Sequence, residues 1–151
     1  MGGLDGLDPE LMKIVKKATD LHGHLGPFLV IGVRLGLIGI RKLGLEKNDE
    51  KLHVTAMLKN AVPFSCVLDG IQVTTKCTIG NKRIRLKNSP GIAAKFEHSK
   101  GRQVTVEVKP TAFERLKNEL LRESISSEKV QKLAQAVASM PEKELFIIRR
   151  T

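Results

Sequence analysis

The sequence predicts an α+β fold in which a mainly antiparallel sheet packs with helices. Two observations lead there. Runs with apolar residues at helical spacing and runs that alternate apolar with polar are segregated along the chain, whereas a doubly wound sheet would interleave them. The chain of 151 residues, 41% hydrophobic and 28% charged, also has the make-up of an ordinary globular domain. A single domain over residues 1–151 is long enough to bury a core without a covalent staple.

The opening "MGGLDG" is expected to be disordered. "DPELMKIVKKATD", residues 8–20, begins with an Asp that can cap and a Pro suited to the first helical turn. Leu11, Ile14, Val15 and Ala18 follow at helical spacing, so a short amphipathic helix should end near Asp20. From Leu25 to Leu43 the apolar residues are too dense for one stripe, with Gly26 and Pro27 suited to a helix start and Gly44 to its stop. That second helix should be buried on most sides.

Beyond the polar "EKNDE", residues 53–60 alternate, with Val54, Ala56 and Leu58 on one face of a strand. "VPFSCVLDGIQVTTK" then predicts a third helix from Pro63 to about Thr75. Three alternating runs follow: "KRIRLK", "GIAAKFEH" and "RQVTVEVK", with Ile84, Phe96 and Val106 among their inward residues. "NSPG" and "SKG" between them look like hairpin turns, which predicts an antiparallel meander at the sheet centre. "TAFERLKNELLRES" (111–124) and "SSEKVQKLAQAVASM" (126–140) predict two more helices, and after Pro141 "KELFIIRR" closes as a strand.

The net charge of +10 is unevenly spread. Residues 1–75 hold 9 basic and 8 acidic side chains, a balance of +1, while residues 76–151 hold 17 and 8, a balance of +9. A basic half can attract nucleic acid or a small anion. With no Trp or Tyr and five scattered Phe, there is no aromatic platform for stacked bases, so a nucleic-acid-binding module is the least favoured alternative. The two cysteines give no disulfide framework, and the N-terminus lacks the basic, apolar, small-residue succession of a secretory signal. A cytoplasmic, reducing setting is expected.

"LHGHLGPFLVIGVRLGLIGI", residues 21–40, holds the first chemical candidates. Its apolar part from Leu25 to Ile40 is sixteen residues with Arg34 among them, short of the roughly 20 a membrane span needs. Gly32 and Gly36 instead make a surface for close approach of another backbone, in the core or at a subunit contact. His22 and His24 would face apart on a helix but side by side in a turn, which Gly23 permits. They either chelate one metal there, or His22 ends one helix while His24 caps the next.

In "SCVLDGIQVTTKC", Cys66 and Asp69 are helical neighbours, a thiolate and carboxylate suited to a divalent ion such as zinc. Cys77 lies eleven residues after Cys66, roughly 16 Å along an ideal helix. Both sulfurs can share a metal only if the helix stops and the chain folds back, which "TTKCTIGN" allows. The alternative is that each thiol is a small buried hydrophobe. Phosphate-loop, nucleophile-elbow and zinc-ribbon motifs are absent.

Together, "LHGHLGP", "SCVLDGIQVTTKCTIGN" and the basic strand after them resemble the FmdE family, named after a component of formylmethanofuran dehydrogenase. In that family a HGHxCPG segment opens a glycine-containing helix. The resemblance covers roughly residues 9–122, with His22, Gly23, His24, Pro27, Cys66, Asp69, Cys77, Thr78 and Gly80 on the family pattern. It implies a homodimeric α+β domain with a metal, usually zinc, associated with the His and Cys positions: here His22, His24, Cys66 and Cys77. Gly26 stands where the family usually has Cys, and nothing after Cys77 can supply sulfur to the C-terminal zinc ribbon of many relatives.

The function expected from this combination is a mononuclear zinc-like site formed by the HGH loop and the Cys66 to Cys77 segment, binding a small anionic substrate. Asp69 or a second histidine is the candidate catalytic base, Arg83 and Arg85 would steer the anion, and Gly32 and Gly36 would serve the dimer contact. The alternative is a non-enzymatic accessory or metal-delivery subunit of a larger redox enzyme.

Overall fold

A computed structural model describes residues 8–46, 48–122 and 125–150. The opening "MGGLDG" lies outside them, as do Glu123 and Ser124 at the end of the helix expected over 111–124. In chain order the elements are α1 (Pro9–His22), α2 (Pro27–Leu43), β1 (Leu52–Met57), α3 (Cys66–Thr75), β2 (Ile84–Lys87), β3 (Ala93–His98), β4 (Gln103–Val108), α4 (Pro110–Leu120), α5 (Ser127–Ser139), α6 (Glu142–Leu145) and β5 (Phe146–Arg150). The class is α+β, as the segregated patterns require.

Asp8 caps α1 through its carboxylate, which accepts from the Leu11 N–H. The helix continues to His22, past the expected end near Asp20, because Gly23 supplies the left-handed residue that closes it. Gly23 has φ 104° and donates its N–H to the Thr19 carbonyl at 2.7 Å. α2 is the centre of the molecule, with 12 of its 17 residues buried. Arg34 does not expose this helix to water. Its guanidinium donates to the Val137 and Met140 carbonyls at 2.7 and 2.6 Å, satisfying the C-terminal end of α5, and lies 5.5 Å from the Phe146 ring.

The glycines of α2 are spent inside the chain. A Cβ on Gly32 would run into the Val67 carbonyl of α3, one on Gly70 into the Leu29 carbonyl of α2, and one on Gly39 into the Phe96 ring of β3. Gly36 is likewise closed off by Thr74. The subunit contact expected at Gly32 and Gly36 is therefore corrected: both positions seat α3 against α2, leaving no surface there for another copy.

The sheet runs β2-β1-β3-β4-β5. β1 pairs antiparallel with β3, β3 with β4 and β4 with β5, while β1 and β2 are parallel. The expected meander thus holds for β3 and β4, joined through Gly101, but β2 lies on the far side of β1 and "NSPG" is no hairpin turn. The reason is the crossover through α3, which returns the chain in its original direction and lays β2 along the outer edge of β1. Alternation sets the buried face of a run without naming its neighbour. β2 has four residues, with Arg85 and Lys87 exposed, as suits an edge strand.

Val54, Ala56, Ala94, Phe96, Val104 and Val106 form the buried face of the sheet. The other face carries Arg85, Thr55, Lys95, Thr105 and Arg149 in register across all five strands. Among the described residues, no helix is long and apolar enough to cross a membrane.

Replacing Gly70 with Ala should cost about 3 kcal/mol of unfolding free energy, because two helix backbones must separate. Gly91→Ala, where no atom lies within 4 Å of the new methyl, should change stability by less than about 0.5 kcal/mol. Denaturant titration of both variants checks this, and equal effects would refute the close contact of α2 with α3.

Candidate functional site

Three chain segments meet where α1 ends, α2 begins and α3 begins. His22 is the last residue of α1, held there by the Gly23 cap. Its Nδ1 lies 2.7 Å from Oδ2 of Asp69, in the first turn of α3. A carboxylate only accepts, so Nδ1 carries the proton and in the neutral ring Nε2 keeps a lone pair. Nε2 is buried and, among the described residues, has no hydrogen-bond partner. The other carboxylate oxygen of Asp69 accepts from Gln72 Nε2 at 3.3 Å. Asp69 thereby orients the imidazole and fixes its tautomer.

His24 lies in the turn after α1. Its ring comes to 4.6 Å from that of His22, centroid to centroid, at a 45° tilt. The turn thus brings both rings to one side, as the HxH spacing allows. His22 does end its helix, but His24 does not cap the next: the N-cap of α2 is Gly26, with no side-chain bond.

His22, His24, Gly26 and Cys66 share one cavity of about 350 Å³. Phe28, Leu29, Val62 and Pro63 make much of its apolar wall, and Leu120, Leu121, Ile125 and Val130 close it from the segment linking α4 to α5. Sequence reasoning missed this second wall, whose only local signal was the leucine pair 120–121. A side chain on Gly26 would meet Val130 at 3.8 Å, an ordinary contact, and Gly26 has an extended backbone at φ −147°. The family's cysteine would fit there.

Cys66 is 8% exposed, and burial pushes its thiol pKa up, with the Asp69 carboxylate adding to the rise. The thiol is accordingly protonated at neutral pH. Cys77 is fully buried and not part of this cavity. Helix α3 ends at Thr75 and the chain continues toward the start of β1, where Cys77 Sγ donates to the Leu52 carbonyl at 3.2 Å. Ten residues lie between the two cysteines, nine of them in α3, roughly 15 Å of chain. Burial raises the Cys77 thiol too, partly offset by the Thr75 hydroxyl and Arg83. Among the described residues, no group of three His, Cys, Asp or Glu side chains is arranged to hold a metal ion.

Arg83 and Arg85 are also elsewhere. Arg83 donates to the Asp49, Leu52 and Lys76 carbonyls at 2.7, 3.4 and 3.0 Å, and both arginines line a different pocket beside β1 and β2. The expectation that they steer an anion to the histidines is corrected, because the α3 crossover places the start of β2 at the opposite end of that helix.

An α+β domain with this element order and sheet topology matches a known structural class. A crystal structure of a tungsten formylmethanofuran dehydrogenase FmdE-like protein from Syntrophus aciditrophicus has the same fold, with a TM-score of 0.62 at 20% identity over 93% of this chain and 71% of that one. The family model described as "FmdE, Molybdenum formylmethanofuran dehydrogenase operon" matches residues 21–147, and the chain belongs to this family. A protein of Archaeoglobus fulgidus named "Probable S-adenosyl-L-methionine-binding protein" is 33% identical over 86 residues, which is 56% of this chain. The present chain spans 24% of that relative's length.

The thiol environments lead to a signed pH prediction. A raised pKa leaves the thiolate scarce at neutral pH, so iodoacetamide should label Cys66 slowly at pH 7 and faster as pH climbs past the ordinary thiol range. In Asp69→Asn, with one negative charge gone, the labelling profile should shift to lower pH. Peptide mass spectrometry across pH reads both; an unshifted or upward-shifted profile would remove Asp69 as a cause.

Proposed function

We propose that the cavity binds one divalent, zinc-like metal ion through His22 Nε2, with His24 and Cys66 as further ligands, and receives a small anionic substrate beside it. The observation that carries this is the buried Nε2, without a partner among the described residues, of an imidazole whose Nδ1 is already fixed by Asp69. Histidines that bind metals are commonly oriented this way by a carboxylate behind them. Two imidazoles and a thiol are also a donor set suited to zinc. Closing on an ion takes a rotation of the exposed His24 and loss of the Cys66 proton, so affinity rises with pH. A bound ion would supply Lewis acidity at an open position. Asp69, bonded to His22, acts as a positioning residue in place of the base expected from sequence. Phe28, Pro63 and Leu121 give the rest of the cavity an apolar wall. Cys77 is left out of the ligand set.

Elemental analysis of protein purified without an affinity tag tests the reading. Wild type and Cys77→Ser should carry about one ion per chain, and His22→Ala and Cys66→Ser far less. Gly26→Cys, which restores the family's sulfur, should fold normally and hold the ion at least about tenfold more tightly. Equal, substoichiometric metal in all five proteins would sink the proposal.

A second reading, an accessory or metal-delivery subunit of a larger redox enzyme, draws support from exposed apolar side chains. Val62 and Leu121, which line the cavity, are 81% and 57% exposed, and Leu21 beside His22 is 60% exposed. Such a rim suits a covering partner, either a second copy or a larger enzyme. Light scattering should then report a homodimer that Leu121→Asp dissociates, or native co-purification should recover a larger complex. A monomer without companions speaks against both. The relative named for S-adenosyl-L-methionine makes that compound a ligand to try in the same cavity by calorimetry. The two free, buried cysteines fit the reducing cytoplasm.

A further inference from the structure

The turn after α3 has no part in the His22 cavity, yet it is among the most densely bonded segments of the chain. Thr78 N–H donates to Asn81 Oδ1 at 2.9 Å, and Asn81 N–H returns a bond to Thr78 Oγ1 at 3.0 Å. Asn81 Nδ2 donates to the Lys76 carbonyl at 2.7 Å, and Arg83 N–H donates to Asn81 Oδ1 at 3.1 Å. Ile79 N–H is tied to Gln72 Oε1 of α3 at 3.0 Å. These bonds hold Lys82 at φ 62°, a left-handed conformation that costs a side-chain-bearing residue about 1–2 kcal/mol. Strain held by surrounding bonds is a reason to ask what the strained residue serves.

Lys82 and Arg83 line a pocket of about 290 Å³ at the end of the sheet where β1 and β2 begin and β3 ends. His53, Thr55 and Arg85 complete one side, and Glu97, His98 and Ser99 the other. Three of these side chains are permanently cationic, against one carboxylate, Glu97, which lies 3.7 Å from Lys95. Arg83 is braced by its three carbonyl acceptors, which leaves N–H groups of its fork unspent. His98 is fixed as well: its Nδ1 accepts from the Lys100 N–H at 3.2 Å, and its Nε2 lies 3.4 Å from Asp49. Among the described residues, no side-chain bond or ion pair occupies Lys82, Arg85 or His53.

A rigid concavity with unpaired cations, imidazole and hydroxyl donors is built for a compact anion. At about 290 Å³ it sits near the small end of ligand clefts, which run from about 300 Å³ upward. Among the described residues, no Phe, Tyr or Trp lines it to stack a base. We propose that this pocket is a second binding site, for a phosphate-type oxyanion, free or carried by a small ester, assembled by the Thr78–Arg83 turn and the basic edge strand β2. It is independent of the metal reading, since none of its residues lines the His22 cavity.

Calorimetric titration of the full chain with inorganic phosphate and with glycerol phosphate tests it, and the tighter of the two identifies the source. Lys82→Gln and Arg85→Gln should each weaken binding about tenfold or more, the loss of a charged hydrogen bond. Lys143→Gln, exposed on α6 beside β5 at the opposite edge of the sheet from β2, removes the same charge away from the pocket and should change affinity less than about twofold. Glu97→Gln, which removes the opposing carboxylate, should tighten binding. Both pocket cations lack partners, so these variants should unfold at the wild-type temperature. No phosphate binding, or equal weakening by all three cation variants, overturns the site. Preference for a single-stranded oligonucleotide over either phosphate does so too.

Discussion

The structure depends on the approach of two helix backbones, α2 and α3, at a separation only glycine permits. Gly32 and Gly70 face each other so closely that a methyl on either would meet the main chain of the other helix. Overpacking of this kind cannot be relieved by rotating a side chain, because carbonyl groups stand in the way. The contact fixes α3, and with it the first-turn positions Cys66 and Asp69, relative to the start of α2. Once α3 is seated, the return of the chain along β1 and the edge position of β2 follow from its length and direction.

Asp69 reaches His22 at 2.7 Å because α1 also packs beside α3 and ends at Gly23. The pair joins groups 47 residues apart. Its consequence is chemical asymmetry in the imidazole: one nitrogen is committed as a donor, and the other has no partner among the described residues. The same carboxylate disfavours ionisation of Cys66, whose burial already does so. A free, activated thiolate nucleophile is therefore a poor description of this site. In the proposed metal reading, the thiol would lose its proton to water as the ion takes up the thiolate.

Helix α3 also separates two kinds of chemistry. Its N-terminal end presents a soft thiol and an oriented imidazole to an apolar cavity, while the turn beyond its C-terminal end presents hard cations to a polar one. Gln72 touches both ends, bonding Asp69 through its amide nitrogen and Ile79 through its oxygen. The basic excess of residues 76–151 is thus placed in part around a built pocket.

Local chemistry in the sequence was enough for the α+β class, the starts of α1 and α5, the stop of α2 and the turn that carries His22 and His24. Asp8, Gly23, Gly44 and Ser126 act on neighbours within four residues, and their roles need no tertiary context. The family pattern was legible for the same reason, being written in short segments. Strand order was not, since alternation specifies a face and β2 passes to the outer side of β1 through a crossover. Nor did spacing reveal that Cys77 stands apart from Cys66, that Asp69 bonds to His22, or that Leu121 and Val130 wall the cavity. Each depends on distances between segments far apart in the chain, set by how closely α2 and α3 can pack, and that is a property of the folded backbone alone.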